Sequence, residues 1–101
     1  QDPWPQRPQI PTLHAMSRPR KGTTPAELRL RLAHNVKQLR KARGLAQERL
    51  ALEAGVDRTM LSKIERRLTN PSLETLLKLA QCLGVDIIEL LKPGAERLQG
   101  G

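Results

Sequence analysis

The sequence contains no phenylalanine or tyrosine, and its one tryptophan, Trp4, lies near the N-terminus. A hydrophobic core in the rest of the chain must therefore be built from leucine, isoleucine, valine and alanine. Strands favour aromatic and β-branched residues, whereas this set of side chains suits packed helices. The chain has 101 residues, enough for one domain. The composition therefore predicts a single, compact, all-α domain.

Cysteine and long apolar runs are also scarce. The single cysteine, Cys82, excludes an internal disulfide and a cysteine-based zinc site. No apolar run approaches the roughly 18 residues that span a bilayer, and no signal-peptide core is recognisable. We expect a soluble cytoplasmic protein without metal, cofactor or membrane partner. Catalysis is not expected, because His14, His34 and Cys82 have no evident catalytic neighbours.

Acidic residues are outnumbered, with 10 against 18 lysines and arginines, which gives a formal net charge of +8. A charge of this size attracts polyanions, and neutralising phosphates releases their counterions. Nucleic acid is the first partner to consider, and an anionic membrane surface is the second.

The two ends of the chain have little to bury. Residues 1–23 are rich in proline and basic side chains and lack apolar periodicity, which predicts a disordered arm. Residues 93–101 are predicted as a flexible tail, leaving 24–92 as the domain. Met16 is a candidate natural start, which would make the preceding residues an upstream extension. A basic cluster ends the arm and either contacts nucleic acid or is simply solvated: Arg18, Arg20 and Lys21.

A strong start signal opens the first predicted helix. Thr24 supplies a capping hydroxyl, Pro25 occupies the first helical position, and Glu27 lies three residues after the cap. The helix should run to about Arg43, with Gly44 ending it. Its apolar stripe is Leu28, Leu32, Val36 and Leu39.

Two short helices follow, over residues 47–54 and 58–66, joined by the three-residue turn 55–57. In the second of them, Leu61 and Ile64 are expected to face the core. Two helices joined by such a turn form a helix-turn-helix arrangement.

Two further helices complete the domain. Ser72 is predicted to cap the fourth, and Gly84 to end it. Asp86 and Glu89 form a predicted capping box for a brief fifth helix that ends before Pro93. The apolar stripe of the fourth helix is Leu73, Leu76, Leu79, Ala80 and Leu83.

The stretch GLAQERLALEAGVDRTMLSKIERRLTNPSLETLLKLAQCLGVDIIELL resembles the lambda-Cro and repressor type, or XRE family, of helix-turn-helix domains. The resemblance covers roughly Ala33 to Leu91. It implies a five-helix lambda-repressor-like domain and a bacterial or phage transcriptional regulator that binds double-stranded DNA sequence-specifically. The matching positions are Gln47, Leu50-Ala51, Ala54-Gly55-Val56, Ile64-Glu65, Asn70-Pro71-Ser72 and Leu83-Gly84-Val85.

The outer face of the third helix is the expected reading surface, because a helix of this width fits the major groove. Arg58 could pair with guanine O6 and N7, Thr59 could offer its hydroxyl or methyl, and Lys63 could reach another guanine. Ser62 lies at the rim of this outer face. The alternative for each residue is a solvated side chain on an exposed helix.

Other polar residues are assigned to support this helix. The resemblance implies that Gln47, at the start of the second helix, holds a phosphate. It also implies that Arg40 and Glu65 pair across helices one and three. Further phosphate contacts are expected from the residues flanking the groove-facing helix, Arg43, Arg66 and Arg67.

Three positions depart from the family pattern. Ala46 replaces the usual Ser or Thr cap of the second helix, at a cost of about 1 kcal/mol. Arg67 stands where Gly is common, so either it is left-handed or the loop takes another path. Ile88 is apolar where relatives are often polar.

With Leu91, Ile88 predicts the interface of a C2 homodimer on an inverted-repeat operator. The alternative is that Ile88 covers the domain's own core. A rival function is an interaction module, such as an antitoxin, that grips a partner protein and binds DNA only secondarily.

Overall fold

The computed structural model describes residues 23–95, which form five α-helices and no strand. This confirms the predicted all-α, five-helix fold. Residues 1–22 and 96–101, to which most of the predicted arm and tail belong, lie outside the described residues. The helices are α1 (Pro25–Ala42), α2 (Gln47–Ala54), α3 (Arg58–Glu65), α4 (Leu73–Leu83) and α5 (Ile88–Leu91).

Local signals set most helix boundaries. The hydroxyl of Thr24 accepts a hydrogen bond from the Glu27 N–H at 3.1 Å, and that of Ser72 accepts from the Thr75 N–H at 3.1 Å. Gly55 ends α2 with a φ of 73°, a left-handed conformation that costs other residues energy. The chain therefore turns between α2 and α3 without strain.

All five helices contribute to one core. α1 packs against α3, α4 and α5, and α2 packs against α3 and α4. Leu39 and Ala54 are half-buried against this core. Its buried apolar residues are Leu32, Val36, Leu50, Ala51, Leu61, Ile64, Leu76, Leu79, Ala80, Leu83 and Leu90.

Two leucines predicted for the core lie outside it. Leu73 is 75% exposed, and Leu28 is also exposed. Each stands in the first turn of its helix, before the part that packs against the other helices. The predicted helical period is confirmed. However, the segment of each helix that packs against the core is shorter than its apolar stripe.

The predicted capping box of α5 is wrong. The carboxylate of Asp86 accepts from the Ile88 N–H at 2.9 Å, two residues on. The carboxylate of Glu89 pairs with Lys92 Nζ at 2.8 Å instead of reaching back to the helix start. With four residues, α5 is a single turn.

A buried polar contact holds the end of α5. The Asn35 side chain on α1 donates from Nδ2 to the carbonyls of Leu90 and Lys92, both at 3.0 Å. Beyond it, Ala95 is only 2% exposed. Ala95 lines a cavity together with Ala33 of α1.

The end of α3 resolves the alternatives for Arg67. This residue has a φ of 63°, so it adopts the left-handed conformation itself. Its N–H donates to the Ile64 carbonyl, and the Leu68 N–H donates to the Lys63 carbonyl at 2.8 Å. These two bonds form a Schellman motif, normally closed by glycine. A non-glycine residue pays about 1 kcal/mol or more for this conformation.

Candidate nucleic-acid interface

The outer face of α3 carries the predicted base-contacting side chains. Arg58, Thr59 and Lys63 are exposed and Ser62 is half-buried. The Asp57 carboxylate accepts from the Thr59 N–H at 3.4 Å and caps the helix. The buried residues of α3 turn the opposite face inward, so the helical period leaves this face to solvent.

A shallow cleft joins this face to the start of α2. It has a volume of about 300 Å³ and is lined by Gln47 from α2 and by Arg58, Thr59, Ser62 and Arg66. The fold thus brings together three of the four predicted base-contacting residues and two of the four predicted phosphate contacts. Lys63 is on the same helix but does not line the cleft.

Below the cleft, Arg40 of α1 and Glu65 of α3 form a bidentate salt bridge. Nε and Nη2 of Arg40 lie 2.8 and 3.0 Å from the two carboxylate oxygens of Glu65. The remaining Nη1 donates to the Leu45 carbonyl at 2.7 Å. The side chain of Glu65 is 1% exposed, so this pair is largely removed from water. It therefore fixes α3 to the end of α1 and to the chain before α2.

Two of the predicted phosphate contacts lie elsewhere. Nη1 of Arg43 donates to the Leu83 carbonyl at 3.0 Å, which satisfies the C-terminal end of α4. Arg67 lines a different cavity, together with His34 and Lys37 of α1. A sequence pattern places both arginines after a helix, but it does not reveal which neighbouring element they meet.

The charges around the cleft are mostly positive. Arg58, Lys63 and Arg66 are exposed on or directly after α3. The negative charge of Glu65 is buried against Arg40, so little of it reaches the surface. This surface suits a polyanion approaching from solvent.

The start of α2 has no side-chain cap. Ala46, its N-cap, has no side-chain hydrogen bond to the helix. The first N–H groups of a helix lack partners within it, and the helix dipole places about +0.5 charge there. Because Gln47 lines the cleft, these donors lie at its edge.

A second surface is apolar. A groove of about 350 Å³ runs between the start of α1, the start of α4 and the end of α5, with Leu28, Leu73 and Leu91 among its lining residues. On α5, Ile88 is 67% exposed, whereas Leu91 is half-buried against the core. On α4, Leu77 is exposed.

The remaining predictions concern membranes, metals and the cysteine. Within the described residues, every helix is too short or too polar to cross a bilayer. Residues 23–95 hold no cluster of three or more His, Cys, Asp or Glu side chains placed for a metal ion. Cys82 is half-buried against the core.

Comparison with known proteins agrees with this geometry. The helix-turn-helix family HTH_3 matches residues 36–90. A hypothetical transcription factor of Neisseria meningitidis is 42% identical over 83 residues, covering 76% of this chain and 78% of its own length.

Solved structures extend the match. The restriction-modification controller C.AhdI from Aeromonas hydrophila shares 39% identity, with a TM-score of 0.59 over 61% of this chain and 94% of that one. The biofilm regulator SinR, solved in complex with DNA, shares 42% identity, with a TM-score of 0.58 over 60% of this chain and 98% of that one. The chain belongs to the XRE-type helix-turn-helix family and is a transcriptional regulator with a helix-turn-helix DNA-binding domain.

Proposed function

We propose that the protein binds one operator sequence in double-stranded DNA, with α3 in the major groove, and acts as a homodimer in the bacterial cytoplasm without catalysis. The observation that carries this proposal is the cleft in which Gln47 faces Arg58, Thr59, Ser62 and Arg66. Such a cleft combines donors for phosphate with side chains for base edges, and a DNA reader needs both.

In this proposal α3 reads the bases. Arg58, at its first position, forms two hydrogen bonds with O6 and N7 of a guanine. Thr59 offers its methyl to thymine or its hydroxyl to a base acceptor, and Lys63 reaches a further guanine. Ser62 is half-buried and makes a shorter-range contact at the rim.

The phosphate contacts come from the cleft edge. Gln47 and the open N–H groups at the start of α2 hold one phosphate, and Arg66 holds another. Arg43 and Arg67 are left out of the proposed contacts. Arg43 already bonds the end of α4, and Arg67 lines a cavity on the α1 side of the domain.

The apolar surface supports the proposed dimer. Ile88 and Leu77 are exposed on α5 and α4, and Leu28, Leu73 and Leu91 line the apolar groove. Large exposed apolar patches mark sites that another protein covers. A second copy related by a two-fold axis would place two α3 helices about 34 Å apart, as an inverted-repeat operator requires.

Selection from genomic DNA fragments tests the reading function. The full chain is titrated at near-physiological salt and the retained fragments are sequenced, then the selection is repeated with Arg58→Ala and Lys63→Ala. Each substitution should relax one position per half-site and weaken binding about 5- to 100-fold for each half-site, the value of one base contact. Lys78→Ala, which removes an exposed charge from α4 outside the cleft, is the control and should leave the motif unchanged.

Uniform retention of all fragments, unaffected by the α3 substitutions, would contradict the proposal. The protein-interaction function would then take its place.

Sedimentation tests the dimer separately. The wild-type protein should sediment as a dimer at concentrations where it occupies its operator, and Ile88→Glu should sediment as a monomer. That variant should bind a single half-site normally and the full inverted repeat more weakly. A wild-type monomer well above the operator dissociation constant would refute the dimer and leave the proposal for α3 intact.

A further inference from the structure

The side chain of Gln47 is hydrogen-bonded within the cleft. Its Nε2 donates a hydrogen bond to Oε1 of Glu65 at 2.9 Å. The same carboxylate oxygen also accepts from Nη2 of Arg40 at 3.0 Å. The amide at the cleft edge is therefore tied to the buried ion pair beneath it.

This contact selects one orientation of the amide. A carboxylate bonded to a guanidinium is ionised and only accepts hydrogen bonds. It can therefore bond the Gln47 nitrogen, whereas the flipped amide would bring its carbonyl oxygen against a negative oxygen. One N–H of the amide is used by Glu65, and the other remains for a ligand in the cleft that Gln47 lines.

The carboxylate of Glu65 is held in place by Arg40. The Arg40 guanidinium donates hydrogen bonds to both oxygens of Glu65 and to the carbonyl of Leu45, two residues before α2. Planar two-pronged pairing of this kind fixes both side chains in one geometry. Arg40 thereby fixes Glu65, and Glu65 fixes Gln47.

We infer that Glu65 is a positioning residue for DNA binding: its carboxylate, fixed by Arg40, directs the second N–H of Gln47 at a phosphate oxygen. The inference rests on the proposed function, in which DNA occupies the cleft. The orientation is set before DNA arrives, so binding loses little entropy by ordering this side chain. The negative charge of Glu65 repels phosphate little, because its partner guanidinium neutralises it.

A double-mutant cycle tests this on the selected operator, using Gln47→Ala, Glu65→Gln and the combined variant of the full chain. Either single change should weaken binding about three- to tenfold for each half-site, as the loss of one hydrogen bond does. The combined variant should bind like Gln47→Ala, because Glu65 acts through Gln47. An undiminished effect of Glu65→Gln in the Gln47→Ala background would overturn the inference.

A second substitution distinguishes the positioning role of Glu65 from a general loss of folding. Arg40→Lys keeps a positive charge beside Glu65 but cannot grip both oxygens. It should weaken operator binding when Gln47 is present and have little effect in Gln47→Ala. Equal weakening in both backgrounds would also overturn the inference. The matched control is Glu53→Gln, an exposed acid of α2 that pairs with Arg49 and does not touch Gln47.

Operators in which one phosphate is replaced by a neutral methylphosphonate show which phosphate Gln47 contacts. A purely structural role of Glu65 would not change that result. One position per half-site should weaken wild-type binding and have no effect on Gln47→Ala. Glu65→Gln should lose sensitivity at that same phosphate and keep it at the others. Unchanged sensitivity there would refute the positioning role. Failure of the wild-type protein to retain any operator would instead refute the proposed function.

Discussion

The two helices of the motif, α2 and α3, have the same length of eight residues but begin differently. At α3, the Asp57 side chain accepts a backbone N–H, so the helix start is closed. At α2, Ala46 makes no such bond, so the helix start is open. The two helix starts therefore suit different contacts. At α3 the capped start leaves only side chains available for the groove, whereas at α2 the backbone N–H groups remain available to bind an anion.

This division matches how proteins bind DNA, where backbone contacts set position and base contacts set sequence. The absent cap of α2 costs the free protein about 1 kcal/mol. A phosphate in the cleft would supply the missing acceptor, so binding would recover that cost. The Arg40–Glu65 pair and Gln47 connect the start of α2 to the end of α3, which keeps positioning and reading in one geometry.

The largest expected effect is on the link between the two helices. Arg40→Ala would leave the buried carboxylate of Glu65 without its partner, which typically costs about 3–5 kcal/mol of unfolding free energy. Chemical denaturation followed by circular dichroism measures it. Arg43→Ala, which loses one partly exposed bond to a carbonyl, is the control and should cost about 1 kcal/mol. Equal losses in the two variants would mean that the ion pair does not hold the motif together.

A smaller change tests the open start of α2. Ala46→Ser and Ala46→Asp both supply a cap and should each raise the unfolding free energy by about 1 kcal/mol. Their effects on DNA should differ. A charge near the proposed phosphate costs about 1 kcal/mol even in water at 4 Å, so Ala46→Asp should weaken operator binding at least about fivefold.

Ala46→Ser should bind the operator more tightly than Ala46→Asp, since it adds no charge. Titration of both variants against the same operator gives the comparison. Equal affinities for Ala46→Ser and Ala46→Asp would mean that no phosphate binds at this helix start.

The sequence was sufficient for the local features of the fold. Thr24, Ser72 and Gly55 act on neighbouring residues, so their roles could be predicted from spacing alone. The helical period also predicted the inward Leu61 and Ile64 of α3. Features of this kind depend on a few consecutive residues, which is why they need no knowledge of the fold.

Contacts between distant residues were less predictable. Asn35 bonds carbonyls 55 and 57 residues away, and Arg43 bonds a carbonyl 40 residues away, and neither pairing has a signal in the local sequence. The bond between Gln47 and Glu65 was missed for the same reason. Leu73 looked like core because its spacing was right, but where a helix leaves the core depends on its neighbours.

The closed start of α3 gives the next prediction. Asp57→Ala removes the cap and should lower the unfolding free energy by about 0.5–1 kcal/mol, the low end for a cap because the bond is long and exposed. Operator affinity should not fall, since a negative charge is removed beside Arg58. Asp57→Asn keeps the capping oxygen and should retain the wild-type stability. A loss of stability in Asp57→Asn as large as in Asp57→Ala would show that the charge, and not the cap, matters.

The smallest effect is expected on the outer surface of α2, where Arg49 pairs with Glu53 one turn later. Both side chains are exposed, so the pair contributes about 0.3–0.5 kcal/mol, and added salt should screen it. Thermal unfolding of Arg49→Ala at low and high salt measures this. Because Arg49 does not line the cleft, its loss should weaken DNA binding slightly and equally for all sequences. A sequence-dependent loss would extend the reading surface from α3 onto α2, and the two helices would no longer divide positioning from reading.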